Sequence, residues 1–246
     1  LVMLVVAGQY RIPSASMAPT LHGDPRFFHG DRVLVNKLSY GLRLPFTTCW
    51  LAEWGGPRRW DIVVFRSPVP GDPQRTLVKR VAALPGEQVR LRGGHLFING
   101  ERVPFPNDLP PDIAYLSQAD LERRAALPIL NEAARARYRA MSERIRFPYG
   151  AADAPELTQV PPGHYFLLGD NTLASRDSRV FGWVPRDHLV GRAFAVWWPL
   201  PHAQALAAWP GTWWGRLLLF GLPLAYVAGE VGRALQRLIV RRMPQL

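Results

Sequence analysis

Short apolar runs, many of them β-branched and bounded by turn residues, dominate the middle of the chain. DRVLVNK (31–37), DIVVF (61–65) and TLVKRVA (76–82) each read as strands. Residues 88–103 contain Gly93-Gly94 and Asn99-Gly100, two tight-turn signals, and read as a meander. Residues 165–168 and 190–197 add further strands. The pattern predicts a mainly β, antiparallel, barrel-like catalytic domain.

One segment breaks the pattern. Residues 117–146 are rich in Ala, Arg, Glu and Leu, and Ser117 with Asp120 resembles a capping box. Pro128 kinks or divides the helix they predict. Pro-rich stretches flank it, so it reads as a helical insertion.

The two ends are apolar. LVMLVVAG (1–8) is too short to span a bilayer, which takes about 20 residues. It reads as the trailing end of a transmembrane helix; an N-terminal core strand also fits. LLLFGLPLAYVAG (217–229) follows Trp213-Trp214 and precedes Arg233, Arg237, Arg241 and Arg242. Two arrangements fit it: a short second span with a basic cytoplasmic tail, or a helix lying in the membrane interface. The resulting division is an anchor end (1–9), a β catalytic domain (10–106 and 160–198), a partly helical insertion (107–159) and a membrane-associated helix with a basic tail (199–246).

Charge and composition narrow the choices. Thirty Lys and Arg against 19 Asp and Glu give +11, which suits an anionic membrane surface. No basic run interleaved with aromatics points to nucleic acid. Cys49 is the single cysteine, so no intrachain disulfide forms, and it reads as a structural thiol. The six histidines are scattered without metal-ligand spacing, so no metal site and no cofactor is expected.

Three segments carry candidate chemistry. In IPSASMAPTL (12–21), Ser14 and Ser16 are two residues apart after Pro13. In an extended segment they share a face, so one could attack while the other donates to an oxyanion. Alone, the pair also fits a plain turn. Lys79 shares a strand face with Leu77 and Val81, while Arg80 faces the other way with Val78. Aliphatic neighbours desolvate an amine and lower its pKa, which makes it a possible general base; a lysine snorkelling from a strand edge fits the window too. GDNTLASRDSRVFGWVP (169–185) opens on turn residues, spaces Asp177 and Arg179 to pair, and offers Ser175 as a third hydroxyl. A polar loop closed by a surface ion pair is the alternative.

In order along the chain, IPSASMAPTL, GDRVLVNKLSYG, WDIVVF, KRVAALPGE and GDNTLASRDSRVFGWVP resemble the motifs of the type I signal peptidases, serine proteases with a Ser/Lys dyad. The resemblance covers most of residues 10–106 and 160–198. It implies Ser16 as nucleophile, Lys79 as general base, and Ser14 with the Ser16 N–H as oxyanion donors. It further implies Ser175 as the group that positions the lysine, and Asp177–Arg179 as a supporting ion pair with Arg80 adjacent. The implied substrate pocket is lined by Tyr10, Met17, Leu21, Val33, Val64 and Val78 and admits small side chains, as in A-x-A cleavage sites. The implied partners are signal-peptide-bearing preproteins and membrane lipid. The implied setting is a monomer in the bacterial cytoplasmic membrane, with its catalytic domain outside the cytoplasm. Three features depart from the family pattern. Residues 22–29 are inserted, with Phe27 and Phe28 placed to touch the bilayer or cover the pocket. Thr172, Leu173 and Ala174 stand where polar residues are usual, which puts the hydrogen bonding of that loop in doubt. The helical insertion replaces a mainly β cap.

Other readings remain open on sequence. They are a Ser/His/Asp triad drawing on His164, a self-cleaving Ser/Lys repressor protease, and a non-catalytic membrane-tethered β binding module. The separation of Ser16 Oγ from Lys79 Nζ discriminates the enzymes from the binding module.

Overall fold

The computed structural model describes residues 7–26, 29–43, 49–71, 75–106, 109–110, 113–145 and 158–206. The expectations for residues 1–6, for Phe27 and Phe28, and for the apolar and basic segment from 207 onward lie outside the described residues.

The central sheet holds β1 (Ala7–Arg11), β2 (Arg32–Asn36), β5 (Ile62–Arg66), β6 (Thr76–Ala83), β10 (His164–Leu168), β11 (Val184–Pro185) and β12 (Leu189–Trp198). Their spatial order is β1-β2-β12-β5-β6-β10-β11, with β13 (Gln204–Ala205) pairing back onto β12. All of these pairings are antiparallel. Two smaller sheets complete the β structure. One is the β3 (Gly41–Arg43) and β4 (Trp50–Glu53) hairpin; the other is the meander β7 (Val89–Arg92), β8 (His95–Ile98) and β9 (Glu101–Arg102).

Local sequence accounts for these elements. In β7 and β8 buried and more exposed positions alternate, the period-2 pattern of a sheet with one wet face. Gly93 and Gly94 both have positive φ, as do Asn99 and Gly100, which the two tight turns require. β5 and β6 are buried over most of their length because both faces are covered. One face contributes Ile62, Val64 and Val78 to a cluster with Ile12, Met17 and Val33. The other contributes Val63, Phe65 and Val81 to a cluster with Tyr165 and Leu167.

Three expectations change. The sheet is open rather than barrel-like: β11 is two residues long and pairs β10, so among the described residues nothing carries the ladder round to β1. Residues 7–9, grouped with an anchor by hydropathy, lie in β1, where Ala7, Gly8 and Gln9 pair with Asn36, Val35 and Leu34. Residues 199–206 form a short 3-10 turn and β13, held to the sheet by Ala195↔Ala205 and Val196↔Gln204. No helix among the described residues is long and apolar enough to cross a membrane.

The insertion folds as α1 (Gln118–Ala125) and α2 (Glu132–Arg144), separated around Pro128, which cannot continue a helix. The capping box forms, with the Ser117 side chain accepting from Asp120 N and the Asp120 carboxylate accepting from Ser117 N. Asp120 Oδ2 also accepts from Gly93 N at 3.0 Å, which fastens α1 to the β7–β8 turn. Leu116, Leu121, Met141 and Ile145 form a separate small core beneath the two helices. Truncating Leu121, which is fully buried, is expected to destabilise this unit by about 2–5 kcal/mol. Hydrogen exchange of α1 and α2 amides in Leu121→Ala measures it, and protection equal to the parent's would contradict the packing described.

Candidate active site

The segment before Ser16 is set by its neighbours. Ser14 is extended, and Ala15–Met17 then form one 3-10 turn. The strand geometry expected for Ser14 and Ser16 is therefore replaced by a turn at the second serine. The loop that follows packs back closely: a Cβ on Gly23 would sit 1.8 Å from Ser14 O, so only glycine allows the approach. The two hydroxyls still face each other, with Ser14 Oγ donating to Ser16 Oγ across a long 3.4 Å. Ser14 is exposed and Ser16 is buried.

Lys79 comes to Ser16 from the middle of β6, 63 residues along the chain. Its Nζ donates to Ser16 Oγ at 2.8 Å and to Val78 O at 2.8 Å. The side chain is 2% exposed. Burial pulls its pKa down from 10.5 to about 8, and the Asp177 and Asp170 carboxylates oppose that shift. β10 ends opposite this point, with Leu168 paired to Arg80. The 169–179 loop begins there and packs around the dyad.

That loop is held by two buried ion pairs. Arg179 Nε and Nη2 donate to Asp177 Oδ1 and Oδ2 at 2.9 and 2.7 Å, a bidentate pair. Arg179 Nη1 also donates to Leu116 O at 3.0 Å, and Gly169 N donates to Asp177 Oδ2 at 3.0 Å. Burial pushes the Asp177 carboxyl up, but the guanidinium and the Gly169 N–H outweigh it, so the net shift is down. Arg80 does not join this pair. Its Nε and Nη2 donate to Asp170 Oδ1 and Oδ2 at 2.8 and 2.7 Å, with Nη1 on Trp60 O at 3.0 Å. Asp170 additionally accepts from Thr20 Oγ1 at 2.6 Å and from Tyr115 Oη at 2.9 Å.

Asp170, Thr20 and Tyr115 were missed in the sequence. Gly169-Asp170-Asn171 signals a turn, and nothing in its spacing says that its carboxylate reaches a strand, the serine loop and the insertion together. Thr172, whose place in the loop raised doubt, does form hydrogen bonds: its hydroxyl donates to Ala114 O and accepts from Leu116 N at 3.4 Å.

Ser175 Oγ is buried and, among the described residues, meets no partner at hydrogen-bond geometry, Lys79 included. Its hydroxyl stands close enough to Asp177 to favour the ionised carboxylate. It also packs on Gly169, where a Cβ would lie 2.0 Å from Ser175 Oγ and 2.6 Å from Ser16 O.

The six residues expected to line a substrate pocket belong together. Met17, Leu21, Val33, Val64 and Val78 share one buried cluster, with Tyr10 packed against it. The cluster borders the dyad through Met17, next to Ser16, and Val78, next to Lys79. It is closely filled: Met17, Leu21, Val33 and Val64 are sealed from solvent. A groove of about 440 Å³ opens beside it, lined by Ala18 and Pro19 of the serine loop, Asp170 to Leu173, and Leu116, Arg124 and Tyr138 of the insertion.

His164, the first residue of β10, places Nδ1 2.9 Å from Pro162 O. Cys49, read as a structural thiol, is exposed, with its Sγ 3.8 Å from Trp50 O.

Residues 1–198 match the family described as signal peptidase, peptidase S26. The chain is 41% identical to signal peptidase I of Pseudomonas fluorescens over 212 residues, covering 80% of this chain and 67% of that one. It is 35% identical to signal peptidase I of Pseudomonas aeruginosa with the same coverage. It is 30% identical to signal peptidase I of Bacillus caldolyticus, covering 80% and 82%. A crystal structure of a signal peptidase I from Enterococcus faecalis is 29% identical with a TM-score of 0.35, covering 56% of this chain and 97% of that one. The ordered motifs around Ser16 and Lys79 thus lie inside a match that runs from β1 to the end of β12, and the chain belongs to the signal peptidase family, peptidase S26.

Proposed function

We propose that this chain is a serine endopeptidase that removes N-terminal signal peptides from exported preproteins, with Ser16 as nucleophile and Lys79 as a neutral general base. The observation that carries the reading is the 2.8 Å separation of Lys79 Nζ from Ser16 Oγ, with the lysine buried. When the amine is neutral the contact reverses, and the Ser16 O–H donates to Nζ. Ser16 Oγ then forms a bond to the scissile carbonyl carbon as its proton passes to Lys79. The Ser14 hydroxyl and the Ser16 N–H hold the oxyanion. The Lys79 ammonium returns its proton to the departing amine as the C–N bond breaks. Water, deprotonated by the same amine, hydrolyses the ester and restores Ser16.

The substrate reading follows from shape. β1 is the terminal strand of the central sheet and runs directly into the serine loop, so an extended peptide can pair along it. The apolar residues beside the dyad pack tightly against one another, so a substrate side chain set against them must be small, which supports cutting after A-x-A sites. A site at the membrane surface on the extracytoplasmic side, reached by membrane-anchored preproteins, is consistent with the +11 charge. The chain works without a cofactor and as a monomer.

Three outcomes are expected with a preprotein carrying an A-x-A site, assayed in detergent. Ser16→Ala is inactive, whereas Ser14→Ala retains activity lowered by about 10²-fold, the usual effect of losing one oxyanion donor; parent-level cleavage by Ser16→Ala would overturn the assignment. For the parent, kcat/KM rises with pH through about 8 and then levels, because the base works only after losing its proton. A flat profile between pH 6 and 10 would remove Lys79 from that role. Gly169→Ala, which adds no functional group, drives a methyl against Ser16 O and Ser175 Oγ. It lowers kcat by about 10²-fold, as misplaced catalytic groups do, and unchanged kcat would show that the serine loop yields freely.

A further inference from the structure

Outside the dyad, two histidines far apart in sequence converge on one buried carboxylate. Asp31 is fully buried, immediately before β2. His202, on the 3-10 turn after β12, places Nδ1 3.0 Å from Asp31 Oδ1. His22, at the end of the serine loop, places Nδ1 3.8 Å from Asp31 Oδ2. The two imidazoles lie with centroids 4.8 Å apart and planes tilted by 39°, and one ligand atom from each of the three residues lies within 4.8 Å of the others. The absence of metal-ligand spacing in the sequence therefore does not hold in space.

We propose that His22, Asp31 and His202 form a binding site for a divalent transition metal of the borderline class, with Zn²⁺ the natural occupant. Two imidazoles and a carboxylate are the donor set such ions prefer. Ligand atoms around a tetrahedral zinc stand about 3.3 Å apart, given bonds of 2.0 to 2.2 Å. The observed separations bracket that spacing, and both imidazoles are partly exposed, at 57% and 42%, so small rotations close the rest.

Charge argues the same way. A buried carboxylate needs a cationic or hydrogen-bonding partner. The His202 ring stands at hydrogen-bond distance from it and the His22 ring lies beyond; a metal ion is shared by both. The carboxylate is also oriented as a ligand should be, because His22 N donates to Asp31 Oδ2 at 2.7 Å and Asp31 N donates to His22 O at 2.8 Å. Three protein ligands leave a fourth position to water. The ion takes no part in the Ser16 chemistry. It clasps the segment after β12 to the serine loop, alongside the Gln204 Nε2 to Thr20 O hydrogen bond of 3.1 Å.

The test is titration of the chelator-stripped full chain with Co²⁺, read by its visible d–d absorption, followed by displacement with Zn²⁺. One saturable Co²⁺ per chain is expected, bleached by Zn²⁺. His22→Ala and His202→Ala, both at exposed side chains, are each expected to weaken binding more than about 10-fold, the lower end of what disturbing a metal's ligand shells costs. His95→Ala and His164→Ala should bind as the parent does. No saturable spectrum in the folded parent, or equal binding by His202→Ala, would overturn the site and leave a shared proton as the link.

Discussion

Placing a lysine amine out of water, beside a serine hydroxyl, is the constraint to which the rest of this molecule is fitted. An ammonium loses much of its hydration in such a place, and the only favourable responses are to pair it or to deprotonate it. This fold keeps both responses in balance. Lys79 sits on β6, a strand buried on both faces, so the amine is desolvated by ordinary sheet packing rather than by a dedicated lid. Asp170 and Asp177 are near enough to temper the shift, yet each is committed to its own arginine. The amine therefore feels two carboxylates without forming an ion pair with either.

The two arginine–carboxylate pairs do different work. Asp177–Arg179 shapes the loop on which Ser175 and Gly169 lie. Asp170–Arg80 joins β6, the serine loop through Thr20, and the stalk of the insertion through Tyr115. Buried pairs of this kind add little net stability against an apolar alternative, but breaking one partner leaves an uncompensated charge. Their value here is positional, because they fix where three separate segments meet around Ser16. The helical insertion is thereby part of the site's support: its stalk is bonded to the 169–179 loop by Arg179, Thr172 and Tyr115.

Much of this was legible in the sequence, and the failures have a common cause. Strand positions, the two glycine turns, the Ser117 capping box and the division at Pro128 are decided within a few residues, by periodicity and backbone preference. The approach of residue 79 to residue 16 was legible only because ordered motifs carried it; the strand window alone said no more than that the lysine had aliphatic neighbours. Closure of the sheet was misjudged because strand number does not reveal that β11 is two residues long. Asp170 read as a turn former, since its four hydrogen-bond donors come from residues 20, 80 and 115. The histidines read as scattered because His202 reaches His22 and Asp31 only when β12 lies beside β2.

The burial of Lys79 also has a thermodynamic consequence for the fold as a whole. An unfolded chain binds a proton at this amine up to about pH 10.5, while the folded chain releases it near 8. Below pH 8 the full difference weighs against folding, by about 3 kcal/mol at 1.36 kcal/mol per pKa unit. Between 8 and 10.5 the unfolded state alone holds the proton, so this penalty fades as the solution becomes more alkaline. The residue that equips the sheet for proton transfer is thus one that the sheet, judged by stability alone, would do better without.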